Sequence, residues 1–251
     1  MPRFLFTPRW ILGHVIVLLI VAGCVVAGFW QLDRLDQRRS FNARVERQLA
    51  LAPQPLDEVI SEGSRIDPEA VAYRRVKVEG TFDPSREVVL VGRSLNDQTG
   101  NDLLTPLVTG NGWAIFVNRG WVPSQFGQPP VAQAIPPAGT VRLTGVLFSP
   151  ELNSTEARQG RVSQMVRIDF GQLRQQTPHP TYPDYLWLQT QEPAQPGALP
   201  QRVPLPPLND GPHLSYAIQW FIFATIGVAG YPMLMRREIQ RRSRIDPGAR
   251  S

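Results

Sequence analysis

The chain has 251 residues, with 26 Lys and Arg against 21 Asp and Glu and a net charge of +5. Once two long apolar segments are set aside, one soluble domain of ordinary size remains. Lys77 is the only lysine, and the basic excess lies largely in a C-terminal tail carrying Arg236, Arg237, Arg241, Arg242, Arg244 and Arg250. Such a tail suits an anionic lipid surface better than nucleic acid, for which no RNP, zinc-finger or helix-turn-helix pattern is present. The single cysteine, Cys24, lies inside an apolar run. That excludes a disulfide, a structural zinc cluster and a Cys–His nucleophile pair from the rest of the chain.

Residues 1–9 form a short basic leader. Residues 10–32 carry no fixed charge and are long enough to cross the ~30 Å core of a bilayer, which takes roughly 20 apolar residues. His14 is the one imidazole in this run. The stretch Val21-Ala22-Gly23-Cys24 matches a lipobox, so a chain cut before Cys24 and lipidated there is an alternative. A lipoprotein has a polar tether at that point, however, and here Val25-Val26-Ala27-Gly28-Phe29-Trp30 continues the apolar helix. Uncut, the run is an anchor rather than a secretory signal.

Residues 33–50 read as that helix continuing into water, ended by Pro53 and Pro55. Residues 56–60 and 68–72 read as short helical turns. The β-rich part follows. Val76, Val78 and Gly80 alternate with Arg75, Lys77 and Glu79, the period of a half-buried strand. Residues 87–91 form a short apolar strand, 96–101 a loop, and 103–109 a strand whose Pro106 places it at an edge or bulge. Gly110-Asn111-Gly112 is a hairpin turn, and residues 113–118 form a buried strand. Residues 126–139 are proline-rich and irregular. Strands are expected at 140–148, 162–168 and 185–189, with a short helix at 169–176. From 192 to 212 prolines dominate, as in an extended linker. Short strands, tight turns and no alternating helices predict an antiparallel sheet or small barrel in an α+β chain.

Residues 211–235 again carry no fixed charge and form a second span, with Tyr216, Trp220 and Phe221 crowding its first turns. The arginines of 236–251 hold its far end in the cytoplasm. Both termini then share that side, and residues 33–210 lie outside it as one domain.

Chemistry is sparse in this outer region. It has His179 and the boundary residue His213, no G-x-S-x-G elbow and no P-loop, and nothing selects two of its carboxylates as a pair. The chain therefore reads as a non-enzyme. His213 has two readings: an axial ligand to a haem iron, with Tyr216, Trp220 and Phe221 as the wall of an apolar slot, or an interface histidine that marks a helix start after Gly211-Pro212. His14 lies roughly 25 Å from the outer end of its span and does not share an iron with His213. It reads as a polar residue facing the partner helix or the inner interface. Asn118-Arg119-Gly120-Trp121-Val122-Pro123 also has two readings. One is a recognition edge in which Asn118, Arg119 and Trp121 contact a partner protein or a carboxylate such as a haem propionate; the other is a strand–turn corner with Trp121 as core. Gln31, Arg34 and Arg38, just beyond the first span, read as a solvated helix face.

In this order, several pieces resemble the SURF1 (Surfeit locus protein 1, Shy1) family of cytochrome c oxidase assembly factors, over nearly the whole chain. They are Gly28-Phe29-Trp30-Gln31-Leu32-Asp33-Arg34-Leu35, Gly80-Thr81-Phe82, Thr105-Pro106-Leu107, Val117 to Pro123, and His213-Leu214-Ser215-Tyr216-Ala217-Ile218-Gln219-Trp220-Phe221. The opening Thr7-Pro8-Arg9-Trp10 looks like the actinobacterial branch. Relatives often carry an Asn-Trp-Tyr-like run where Met165-Val166-Arg167-Ile168-Asp169 stands here. The resemblance implies a two-span bacterial plasma-membrane protein with an extracytoplasmic domain. It also implies transient handling of haem a, bound through His213 with Tyr216 and Trp220, and partners among oxidase subunit I and other oxidase or supercomplex subunits. A purely structural oxidase partner that binds no haem remains the alternative.

Overall fold

The computed structural model describes residues 3–60, 71–151 and 160–245. The chain divides into two compact units, one made of Met1–Arg44 with Leu208–Ser251 and the other of Val45–Pro207.

The first unit is built on two helices, α1 (Pro8–Ala50) and, at the other end of the chain, α4 (His213–Ile245). Both are long and apolar enough to cross a membrane. Pro8 is the first residue of α1, where its missing N–H costs nothing, and α1 then continues without a break as expected for residues 33–50. Along α1 the sheltered positions recur every seven residues: His14, Val21, Gly28 and Leu35, interleaved with Cys24 and Gln31. This 3.5-residue period keeps one seam of a helix facing a neighbour. The neighbour is α4, running antiparallel, with buried Ala217 and Ala224 on its facing side.

Small residues let the two backbones approach closely. A Cβ added to Gly28 would come 2.7 Å from the Phe221 ring, and one added to Gly227 would come 2.6 Å from Val21. His14 Nδ1 lies 2.5 Å from the Tyr231 hydroxyl and Nε2 lies 3.2 Å from the Leu5 carbonyl, so His14 faces the partner helix as the sequence reading expected. Cys24 is buried in the same seam.

The second unit is one eight-stranded sheet. Its strands are β1 (Gln54–Pro55), β2 (Arg75–Phe82), β3 (Val88–Leu95), β4 (Gln98–Thr109), β5 (Ala114–Pro123), β6 (Thr140–Phe148), β7 (Gln164–Met165) and β8 (Thr181–Glu192). Among the described residues, the one-turn helices α2 (Leu56–Val59) and α3 (Phe170–Leu173) accompany them, the latter capped by the Asp169 carboxylate on Gly171 N. The order is β1-β2-β6-β8-β5-β4-β3-β7, and β2 also pairs with β4 through Gly80–Thr109, Thr81–Val108 and Phe82–Leu107. Strands β2, β6, β8, β5 and β4 thus close into a small barrel, with β3 and β7 as an extension.

The sheet is mixed, which corrects the antiparallel expectation: β1–β2, β3–β7 and β5–β8 are parallel. Turn residues reveal hairpins, whereas β8 reaches β5 only through the long connection of residues 124–180. The 96–101 loop is also shorter than expected. Asn96 and Asp97 adopt left-handed φ values of 50° and 61°, a two-residue turn from which β4 starts at once. Pro106 lies at neither an edge nor a bulge; it sits inside β4 opposite Phe116, beside the point where β4 passes from pairing with β3 to pairing with β2. Of residues 162–168, only Gln164–Met165 is strand. The reading at 68–72 falls mostly outside the described residues. The alternation in β2, the bounds of β6 and the turn at 110–112 match expectation.

Strand β5 is buried on both faces. Ile115 and Val117 point into the barrel with Val76, Leu143 and Leu186, while Phe116 packs on the other side with Leu90, Leu104 and Tyr185. A strand with two covered faces reads as a continuous apolar run rather than an alternating one.

Candidate functional site

The two sequence-predicted sites have different fates. Asn118, Arg119 and Trp121 are interior residues, exposed by only 4 %, 2 % and 1 %. They present no surface to a partner protein, and that reading is corrected. Arg119 is the extra residue of a β-bulge: Leu103 pairs with Gly120 and Leu104 with Asn118, so Arg119 is left over and turns inward. There its Nη1 donates to Glu87 Oε2 at 3.1 Å, and its Nη2 donates to Ala134 O at 2.5 Å and to Gln195 Oε1 at 3.1 Å. Thr105 Oγ1 donates to the same Glu87 oxygen at 2.7 Å, and Val131 N donates to Glu87 Oε1 at 3.0 Å. Burial pushes the Arg119 guanidinium down to about 10, with the Glu87 charge opposing the shift, so it remains a cation at neutral pH. Asn118 donates to Asp102 Oδ2 at 3.0 Å and caps Gly120 N. Gly120, at φ 132°, has Gln201 O where a Cβ would stand, 2.2 Å away, so Gly is required for the Trp121–Gln201 backbone bridge. This network ties residues 126–139 and the proline-rich 192–207 stretch to the barrel. The sequence signal for it was Glu87, an acid opening an otherwise apolar strand.

His213 opens α4 and is half-buried against α1. Its Nδ1 lies 2.9 Å from Gln31 Oε1. Oε1 can only accept, so the contact is a hydrogen bond in the tautomer that carries the proton on Nδ1. No hydrogen bond is made to Nε2 among the described residues. Gly211, at φ 67°, lies beside that edge of the ring; a Cβ there would come 3.5 Å from Nε2. The residues just before α4 are held by α1. Arg38 Nε and Asn42 Nδ2 each donate to Asn209 O at 3.1 Å, and Arg39 Nε pairs with Asp210 at 2.9 Å. Gln31, half-buried, is therefore a partner of the second helix, while Arg38 keeps the exposed helix face expected of it and reaches from there to Asn209. Arg34 stays outside, stacked over Trp30 and bonded to Gln37.

Tyr216 and Trp220 follow His213 by three and seven residues, which puts all three on one flank of α4. They are 46 % and 36 % exposed. Phe221, expected in the same wall, is instead taken up in the helix seam against Gly28 and Phe29. The flank thus carries an imidazole followed at helical spacing by two part-exposed aromatic side chains, residue types that fit a planar group ligated through its metal. Sequence reasoning missed Gln31, which the seven-residue spacing from Cys24 would have placed on the packed face.

Comparison with known proteins adds the family. The family model described as SURF1 matches residues 18–225, which takes in Gln31, the whole barrel and His213. The chain belongs to the SURF1 family. It is similar to an uncharacterized SURF1-like protein of Mycobacterium tuberculosis, 29 % identical over 258 residues that cover 99 % of this chain and 92 % of the relative. A SURF1-like protein of Monosiga brevicollis is 27 % identical over 84 % of this chain and 82 % of its own length. Surfeit locus protein 1 of Xenopus tropicalis is 29 % identical over 163 residues, 59 % of this chain and 49 % of the relative. The mycobacterial relative accords with the actinobacterial look of the opening residues. In this SURF1 family member the match begins six residues before Cys24, so the family segment runs through the lipobox motif.

Proposed function

We propose that this chain is an assembly factor for the haem-copper cytochrome c oxidase, anchored in the plasma membrane by α1 and α4 with the barrel outside the cytoplasm. It holds haem a transiently on the His213 flank and passes it to oxidase subunit I. Membership of the SURF1 family supports the assembly role, and the arginines following the second span support the orientation. The observation that carries the haem reading is His213 itself: an imidazole at the start of an apolar helix, held at Nδ1 by Gln31, with Tyr216 and Trp220 following on the same flank. His213, Tyr216 and Trp220 would hold haem a, which would supply the iron that the imidazole ligates. Burial of Cys24 within an unbroken helix supports an uncut anchor over a lipidated form.

The test is the haem a absorbance of membranes from a strain lacking the gene, measured with the amount of subunit I. Subunit I that persists without its haem a signal marks haem insertion as the step. Loss of both marks a broader role in stabilising intermediates. Complementation with His213→Ala then separates the two readings: full restoration would discard haem handling and leave a structural oxidase partner. The bond from His213 to Gln31 favours that second reading to the extent that it acts only as a strut between helices.

A further inference from the structure

A neutral imidazole carries one proton, and the nitrogen that carries it cannot ligate a metal. A histidine free in water prefers the proton on Nε2. In this structure Nδ1 of His213 faces Gln31 Oε1 at 2.9 Å, whereas Nε2 faces the space beside Gly211. Gln31 lies on the seam of α1, one seven-residue step beyond the buried Cys24, so packing between the helices fixes where its amide can reach.

We propose that Gln31 is a positioning residue: by accepting Nδ1–H it holds His213 in the less common tautomer and leaves Nε2 as the ligating atom. Metal-binding histidines depend in this way on the acceptor behind them, which fixes both the tautomer and the orientation of the ring. Gly211, at φ 67°, turns the chain into α4 beside that edge of the ring. The identity of the ligand rests on the haem reading above; the tautomer does not.

The experiment uses the full chain in lipid nanodiscs with 15N-labelled histidine, at mildly alkaline pH. The three histidines are distinguished by comparison with His213→Ala. In the wild type, His213 is expected to show a protonated Nδ1 and a bare Nε2. In Gln31→Leu the proton is expected to move to Nε2, and in Gln31→Glu, where a carboxylate replaces the amide acceptor, it is expected to stay on Nδ1. Ferric protoporphyrin is then titrated into each protein. Gln31→Leu is expected to lose affinity by about 10–100-fold, the usual effect of removing such an acceptor, and Gln31→Glu to retain it. A wild-type spectrum with the proton on Nε2 overturns the proposal, as does a Gln31→Leu protein with unchanged tautomer and unchanged affinity. A wild type with the expected tautomer but no porphyrin binding upholds the role of Gln31 and removes the haem reading instead.

Discussion

Replacing Arg119 with Met tests whether the interior ion pair holds the barrel together. Both side chains of the pair are essentially inaccessible, 1 % for Arg119 and 2 % for Glu87. Met keeps much of the aliphatic volume but leaves the Glu87 carboxylate buried without its cation, and it leaves Ala134 O and Gln195 without their donor. Breaking a buried pair in this way costs about 3–5 kcal/mol. Native domains are stable by only about 5–15 kcal/mol, so the loss is a large part of the whole. For a unit of this size each kcal/mol moves Tm by about 2–4 °C, which puts the expected drop near 10 °C. The assay is thermal unfolding of the full chain in nanodiscs, followed by tryptophan fluorescence. Glu87→Gln and the double variant complete a cycle, and the double variant should lose less than the two singles together, because removing both charges leaves neither stranded. A Tm for Arg119→Met within about 2 °C of the wild type, or strictly additive losses in the cycle, would refute the argument.

Two further outcomes follow from other residues. Burial raises the Asp184 carboxyl from 3.8 to about 6, with the Ser149 hydroxyl, 3.0 Å away, partly opposing it. The folded state therefore keeps a proton that the unfolded chain releases, so the contribution of Asp184 to stability is full below about pH 4 and is lost as pH rises through 6, by about 3 kcal/mol. Asp184→Asn should match the wild type near pH 4 and exceed it by about that amount at pH 7.5 in denaturant melts; a constant difference at all pH values would count against the assignment. At the β3–β4 turn, Asp97 sits at φ 61°. Asp97→Gly should raise stability by about 0.5 kcal/mol and Asp97→Val should lower it, since a β-branched residue tolerates that conformation poorly. The ranking of three melting temperatures checks it.

Local patterns in the sequence were read well because local forces set them. The alternation of β2, the turn at Gly110-Asn111-Gly112 and the long α1 all follow from hydrophobic period and turn chemistry. Long-range pairing was not legible in the same way. Nothing between residues 124 and 180 says that β8 will lie parallel to β5, and apolar periodicity is silent on the partner of a strand buried on both faces. The same limit explains the misreading at Asn118, Arg119 and Trp121. A charged residue beside an aromatic one at a strand end has the composition of a contact surface, and only the bulge at Leu103 and Leu104 shows that Arg119 turns inward to Glu87. His213 was visible as a residue, but its partner Gln31, 182 positions away, was not.

The two ends of the sheet carry a consequence for recognition. The outermost strands, β1 and β7, are each two residues long, and β1 ends in Pro55, which has no N–H to donate. Between them the barrel closes through the β2–β4 pairing. A partner chain finds only two-residue strands to extend at β1 and β7, so templated growth of the sheet from those two strands is disfavoured. A chain with a single cysteine, and so no internal disulfide to protect it, gains part of its defence against aggregation from these short strands at the ends of the sheet.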